Sequence, residues 1–144
     1  MIKKLLIANR GEIAIRIAEA AAELGIATVA VHSQDDANSL HIKRTDEVQA
    51  LKSRGAAAYL DIAGVIEAAK AAKCDAVHPG YGFLSENARF AEILAEHNLH
   101  FIGPKAEHIR LMGDKIEAKR TAKRLGIPVV PGSDGGVSPE DDTL

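Results

Sequence analysis

The stretch "IKKLLIANRGEIAIRIAEAAAELG", residues 2–25, changes its hydrophobic period once, at a glycine turn. Ile2–Ala8 is short and, apart from Lys3 and Lys4, apolar, which is typical of a buried strand. After Arg10-Gly11 the apolar residues recur at helical spacing, and Gly25 stands where a helix would end. The predicted buried face of this helix consists of Ile13, Ile17, Ala20, Ala21 and Leu24. The stretch therefore predicts a strand, a turn and a helix over residues 12–24.

The same alternation of elements continues along the chain. Apolar runs without internal alternation predict further strands at residues 27–32, 76–78 and 100–102. A short strand is also predicted at residues 47–51, after a brief helical segment near residues 40–44. Amphipathic helices are predicted between the later strands, with Asp61 and Ser85 as N-caps. Because connections between parallel strands are right-handed, the pattern predicts an α/β fold: a Rossmann-like, doubly wound, mainly parallel sheet with helices on both faces.

Composition and charge exclude several classes of protein. The 144 residues suffice for one complete domain, and a formal net charge of -2 gives no electrostatic reason to expect binding to nucleic acid or to an anionic membrane. No apolar run is long enough to span a bilayer, and the single cysteine, Cys74, cannot form an internal disulfide, so a cytoplasmic protein is expected. The histidines show no metal-ligand spacing, so no metal site is expected. Polar residues 134–144 predict a disordered tail.

The character of the sequence changes after Phe101. A short helix is predicted near residues 105–112, and Asp114 with Glu117 predicts the N-terminus of another helix. Lys115 lies in its first turn, where backbone amides and the helix dipole favour an anion, so it is a candidate phosphate-binding residue. The other basic residues of this helix are interpreted as a solvated face, since no aromatic residue lies among them.

Two glycine turns follow predicted strands, at residues 9–12 and 79–82. In an open parallel sheet, ligands bind beyond the carboxyl ends of the strands. Binding of NAD at Gly11 is disfavoured because the turn contains one glycine and a bulky arginine, although Asp35-Asp36 lies near the position of a ribose-binding carboxylate. Gly80-Tyr81-Gly82 has Ser85 where a third glycine would stand, so a tight turn with positive φ is the simpler interpretation.

Several segments together resemble one family, the biotin carboxylases of acetyl-CoA, propionyl-CoA and pyruvate carboxylases. The matching segments are "IANRGEIAIRI" (7–17), "HPGYGFLSEN" (78–87), "FIGP" (101–104), "LMGDK" (111–115) and "GIPVVPGS" (126–133). They occur in the family's order and spacing over nearly the whole chain. The resemblance implies a Rossmann-like N-terminal domain over residues 1–112 and the truncated start of an ATP-grasp domain over residues 113–144.

The resemblance also implies a chemistry and a short set of site residues. In the family, ATP and bicarbonate give carboxyphosphate and ADP, and the carboxyl group then moves to biotin on a carrier domain, with Mg²⁺ at the phosphates. Lys115 matches the lysine that contacts ATP, and Tyr81 and Gly82 match the loop on the biotin and bicarbonate side of the pocket. The family's metal-binding and catalytic residues would lie beyond Leu144, so no catalytic residue or metal ligand is expected here, and the chain alone is expected to be inactive.

Partners implied by the resemblance are the rest of the carboxylase: the ATP-grasp body, the biotin carrier and the carboxyltransferase. A homodimer is implied through surfaces that include the first helix, where Arg16 and Glu23 match and Glu19 replaces a basic residue. A stand-alone nucleotide- or partner-binding module that kept the fold and lost the chemistry is the alternative. The sequence does not distinguish among acetyl-CoA, propionyl-CoA, pyruvate and urea as the acceptor of the parent enzyme.

Overall fold

The computed structural model describes residues 1–131, which fall into two compact units, Met1–Ala106 and the part that begins at Glu107. Within these residues the strands are β1 (Lys4–Ile7), β2 (Ala27–His32), β3 (Glu47–Ala50), β4 (Ala76–His78) and β5 (His100–Phe101). The helices are α1 (Gly11–Glu23), α2 (Gly55–Leu60), α3 (Ile62–Ala71), α4 (Ala88–Glu96), α5 (Ala106–Gly113) and α6 (Lys115–Arg124), with 3-10 turns at Gln34–Asp36 and Leu40–Lys43. The tail predicted at residues 134–144 lies outside the described residues. None of the helices in residues 1–131 has the length and apolar character to cross a membrane.

The five strands form one parallel sheet in the order β3-β2-β1-β4-β5. The central strand β1 places Leu6 beside Val29 of β2 and Val77 of β4. The chain builds the sheet outward from β1 in one direction through β3 and then in the other through β5, which confirms the doubly wound prediction. The strand order therefore reverses between β1 and β4, where ligands of such sheets bind.

Alternate residues of β1 supply two separate cores, one on each face of the sheet. Leu6 is fully buried in a cluster with residues of α2, α3 and α4, including Tyr59, Val65 and Phe90. The neighbouring residues Leu5 and Ile7 face the other side, as the two-residue period of a strand requires, and pack with α1. The sheet is thus covered on both faces, as its apolar strands predict.

Helix α1 uses a different face from the predicted one. The residues that it buries against the sheet are Ala14, Ala18 and Ala21, each exposed by 4% or less. Of the predicted set only Ala21 is buried, Ile13 and Ile17 are half-buried, and Leu24 is 75% exposed. The prediction was wrong because alanines, which allow a helix to approach a sheet closely, form a second apolar stripe next to the isoleucines.

Asp61 and Asp114 cap their helices as predicted. The Asp61 carboxylate accepts a hydrogen bond from the Gly64 amide at 3.1 Å. The Asp114 carboxylate accepts from the amides of Ile116 at 2.8 Å and Glu117 at 3.0 Å. Both caps satisfy amides that have no partner within the helix.

The prediction that Ser85 caps α4 was wrong. The cap is Asn87, whose Oδ1 accepts a hydrogen bond from the Phe90 amide at 2.9 Å. The chain first makes two turns, in which the amides of Ser85 and Asn87 donate to the carbonyls of Gly82 and Leu84. These turns delay the start of the helix to Ala88.

Candidate functional site at the reversal of strand order

The two glycine turns of the sequence meet at the carboxyl ends of β1 and β4. The amide of Ala8 donates to the carbonyl of His78 at 2.9 Å, which continues the strand pairing into this region. A cavity of about 440 Å³ opens beyond the strands. It is lined by Asn9, Arg10, Gly11, Glu12, Ile13, Tyr81, Gly82 and Phe83. The structure therefore places Tyr81 and Gly82 where the fold provides a ligand site.

Asn9, the first residue after Ala8, joins the two turns. Its side chain is fully buried, and Nδ2 donates hydrogen bonds to the carbonyls of Pro79 at 2.8 Å and Tyr81 at 2.9 Å. Its Oδ1 accepts from the Arg10 amide at 2.9 Å. Both donor hydrogens and the acceptor of the amide are thus used, as a buried polar side chain requires. The role of Asn9 in the site was not predicted from the sequence.

Gly80 is required at its position for two reasons. Its φ of 65° lies in the left-handed region, and a Cβ there would lie 2.6 Å from Asn9 Nδ2 and 2.9 Å from Ile13 Cγ2. Its amide donates to His78 Nδ1 at 3.0 Å, which places the proton of the neutral imidazole on Nε2. Burial lowers the pKa of His78 and so favours that neutral form. The predicted tight turn with positive φ is confirmed.

The Tyr81 side chain lies against the first turn of α1. Its hydroxyl donates a hydrogen bond to Glu12 Oε1 at 2.9 Å, although 63% of the residue is exposed. This hydrogen bond raises the pKa of Tyr81, so the phenol is protonated at neutral pH. Gly82 follows with a φ of 68° and open space where a Cβ would stand. The loop thus presents an exposed aromatic ring and an unobstructed backbone to the cavity.

Arg10 and Asp36 form a charged network beside the cavity. The guanidinium donates two hydrogen bonds to the Asp36 carboxylate, both at 2.6 Å, and the hydroxyls of Tyr59 and Ser39 donate to it at 2.7 Å and 2.9 Å. The pKa of Asp36 lies well below its usual range, and the main cause is the hydrogen bonding of the Arg10 guanidinium. Asp36, considered above as a ribose-binding carboxylate, is therefore already bonded within the protein, which argues against a dinucleotide site at Gly11.

Lys115 is the first residue of α6, in the unit that begins at Glu107, and it is exposed. The expectation that amides at this helix end would help to bind an anion needs revision. Asp114 already accepts from the amides of Ile116 and Glu117. The ammonium group of Lys115, rather than these amides, is the feature of this helix end that suits a phosphate.

No group of three or more His, Cys, Asp or Glu side chains within residues 1–131 is placed to hold a metal ion. One buried histidine, His41, instead serves the fold, since its Nε2 lies 3.0 Å from the Val31 carbonyl. Burial raises the pKa of the Cys74 thiol to about 11, so this cysteine is not a thiolate at neutral pH. No step involving a metal is therefore assigned to these residues.

A second, larger cavity of about 610 Å³ runs along α1. Its apolar wall includes Ile2, Ile13, Ile17, Leu24, Ile26 and Ile102, and Glu12, Arg16, His78 and Tyr81 lie at its polar end. We call this surface the α1 groove. Ile13 and Ile17, which were predicted to enter the core, are thus half-buried and contribute to an accessible apolar surface.

The chain is similar to the N-terminal regions of known carboxylases. The family model described as biotin carboxylase, N-terminal domain, matches residues 1–109. The biotin carboxylase of Nostoc sp. is 55% identical over 142 residues, which cover 98% of this chain and 32% of that protein. The pyruvate carboxylase of Bacillus subtilis is 54% identical over 136 residues, covering 93% of this chain and 12% of that protein.

A solved structure agrees with these relatives. The biotin carboxylase domain dimer of 2-oxoglutarate carboxylase from Hydrogenobacter thermophilus, in complex with MgADP, ADP and bicarbonate, superposes with a TM-score of 0.90. It is 45% identical, over 94% of this chain and 30% of that chain.

The chain spans about a third of the length of the Nostoc relative and corresponds to its N-terminal region. A match to the front of longer carboxylases does not favour the stand-alone module considered above. The family model covers residues 1–109, well over half of the sequence, and the fold agrees with it. The chain therefore belongs to the biotin carboxylase N-terminal domain family.

Proposed function

We propose that this chain is the N-terminal part of an ATP-dependent biotin carboxylase. In the proposed reaction a bicarbonate oxygen takes the γ-phosphoryl group of ATP, giving carboxyphosphate and ADP. The carboxyl carbon then bonds to the ureido nitrogen of biotin on a carrier domain, while phosphate leaves and the nitrogen loses its proton. The observation on which the proposal rests is the Pro79–Gly82 loop, fixed at the reversal of strand order in a member of this family.

The proposed role of Tyr81 and Gly82 is to form the wall on the biotin and bicarbonate side. The exposed Tyr81 ring can contact the fused rings of biotin, while its hydroxyl is oriented by Glu12 at 2.9 Å. The open space beside Gly82 lets a ligand approach the backbone closely. Neither residue supplies a proton or a nucleophile in this proposal.

The proposed role of Lys115 is to contact the phosphates of ATP. An exposed ammonium group beside a helix N-terminus supplies positive charge to a phosphoryl group without a change in protonation. With this role we propose that residues 1–112 are the Rossmann-like domain and that residues 113–144 begin an ATP-grasp domain. Magnesium would neutralise the phosphates when bound.

The remainder of the carboxylase is the proposed partner of the α1 groove. Leu24 is 75% exposed there beside the half-buried Ile13 and Ile17, so the groove offers apolar side chains against which a neighbouring domain can pack. The relatives supply such a body, since the chain corresponds to 32% of the Nostoc protein. A homodimer, a biotin carrier and a carboxyltransferase complete the proposed assembly. We propose a cytoplasmic location, in keeping with a single buried cysteine that needs no oxidising compartment.

The proposal can be tested in a fusion enzyme, in which this chain replaces the matching N-terminal region of the Nostoc biotin carboxylase. Tyr81→Ala should lower kcat/KM for the biotin carrier by about 10-fold to 100-fold, because the acceptor loses its positioning wall. The KM for ATP should stay unchanged. Lys115→Ala should have the opposite pattern: it should raise the KM for ATP and leave kcat/KM for the biotin carrier unchanged. Steady-state ADP formation and label transfer from radioactive bicarbonate measure the two effects.

The two substitutions serve as controls for each other. Both residues are exposed, so neither alanine variant should change the melting temperature of the fusion enzyme. A loss of ATP affinity in Tyr81→Ala with intact transfer to biotin would show that the loop contacts ATP and does not form the wall on the biotin side.

A further inference from the structure

Asn9 borders the cavity below the Pro79–Gly82 loop, but the hydrogen bonds of its side-chain amide all go to backbone groups. Its side chain is fully buried between β1 and the loop. Three hydrogen bonds of 2.8 to 2.9 Å join it to the backbone of Pro79, Tyr81 and Arg10. A side chain that bonds two carbonyls of one loop fixes both the position and the direction of the peptide between them.

The contact depends on donors, and the amide of asparagine is the only group of that size that supplies two. The Pro79 and Tyr81 carbonyls can only accept, so a carboxylate at position 9 would lose both bonds and repel both oxygens. Gly80 lies between these carbonyls and packs closely against the Asn9 amide, since a Cβ at this position would lie only 2.6 Å from Asn9 Nδ2. The loop therefore has one position relative to β1 while the amide is intact.

Tyr81 is fixed at two points as a result. Its carbonyl bonds to Asn9, and its hydroxyl bonds to Glu12 of α1. The hydroxyl contact is exposed, so water competes with it, whereas the carbonyl contact is partly buried and comes from the fully buried side chain of Asn9. The bond from Asn9 thus sets the position of the Tyr81 backbone, and the bond to Glu12 orients the hydroxyl end of the ring.

We infer that Asn9 is a positioning residue for carboxyl transfer: by binding the Pro79 and Tyr81 carbonyls it sets the place of Tyr81 and Gly82 relative to biotin. The inference rests on the proposed function of that loop. Asn9 touches no substrate, so its substitution should affect the biotin half of the reaction and leave the binding of ATP unchanged.

The matched pair for the kinetic test is Asn9→Asp and Asn87→Asp. Asn87 acts as an acceptor for the Phe90 amide, and aspartate caps a helix equally well, so this control should keep wild-type kinetics. Asn9→Asp in the fusion enzyme should lower kcat/KM for the biotin carrier by about 10-fold or more, with KM for ATP unchanged. An unchanged kcat/KM for the biotin carrier would overturn the inference. Equal losses of kcat/KM for the biotin carrier and for ATP would also overturn it.

A second measurement uses the unsubstituted 144-residue chain and does not depend on any variant folding. In NMR spectra the Asn9 side-chain protons should exchange with water at least about tenfold more slowly than those of the exposed Asn38. Equal exchange rates would overturn the inference. Failure of the proposed function is detected separately, because an unchanged kcat/KM in Tyr81→Ala counts against the loop's role whatever Asn9 does.

Discussion

At the scale of single residues, the Arg10–Asp36 pair shows how a charged network stabilises the loop beside the site. Asp36 exposes 11% of its side chain, whereas Arg10 exposes 47%, so one partner is shielded and the other reaches water. The carboxylate is the member that needs the network, because it depends on Arg10, Tyr59 and Ser39 for its hydrogen bonds.

Asp36→Asn should therefore lower the free energy of unfolding of the chain by about 2 kcal/mol at pH 7. The loss is smaller than for a fully buried pair because the exposed Arg10 side chain can return to water. Asp35→Asn is the matched control, since the neighbouring aspartate pairs with Arg54 at the surface and should matter much less. Urea unfolding followed by circular dichroism measures both, and equal effects would contradict the account.

The same substitution should change the dependence of stability on pH. Because the pKa of Asp36 is lower in the folded state than in the unfolded state, its stabilisation is complete above about pH 4 and is lost as the pH falls toward the folded-state pKa. As the pH is lowered from neutral, the free energy of unfolding of Asp36→Asn should therefore fall less than that of the unsubstituted chain.

Neither Asn9 nor Asp36 could be assigned its role from the sequence. Asn9 bonds residues that are 70 and 72 positions away, and Asp36 bonds Arg10 over 26 positions. Such contacts depend on the sheet having formed. The glycines were more predictable, because positive φ at Gly80 is a local property of the turn.

At the scale of elements, the strands were predicted closely because buried parallel strands appear as continuous apolar runs. β2 was placed correctly at residues 27–32, and its residues 28–31 are buried, whereas β3, with the sequence EVQA, is largely exposed. The face of α1 did not follow the prediction, since its sequence contains an isoleucine stripe and an alanine stripe side by side. Only packing against Leu5 and Ile7 selects the alanines.

The observed face of α1 makes a stability prediction. Ala14→Leu should lower the free energy of unfolding by about 1–3 kcal/mol, because Ala14 is fully buried and the sheet cannot move away. Ala20→Leu should have little effect, since Ala20 is exposed on the wall of the α1 groove. Thermal unfolding of the two variants compares them directly. A larger loss of stability in Ala20→Leu than in Ala14→Leu would show that the isoleucine face is the buried one.

The cap of α4 shows the same limit of local patterns. Ser85 and Asn87 stand two positions apart, and both residue types cap helices well. The choice between them depends on the turns after Gly82, which place Asn87 at the helix end.

At the scale of the whole molecule, the order of several motifs identified the family where no single glycine pattern could. The matched family model and the doubly wound sheet agree with that identification. The α1 groove was not foreseen, because the sequence pattern assigned its isoleucines to the core. This groove is the surface that we propose contacts the rest of the carboxylase, and the chain spans about a third of the Nostoc relative.

The most direct test is transfer of label from radioactive bicarbonate to a biotin carrier by the fusion enzyme. With ATP present, the fusion enzyme should transfer label at a rate within about tenfold of the Nostoc enzyme, a difference in barrier of about 1.4 kcal/mol. The 144-residue chain alone should transfer none. A folded fusion enzyme that transfers no label, or turnover by the chain alone, would contradict the proposal that this chain forms one wall of a biotin carboxylase site.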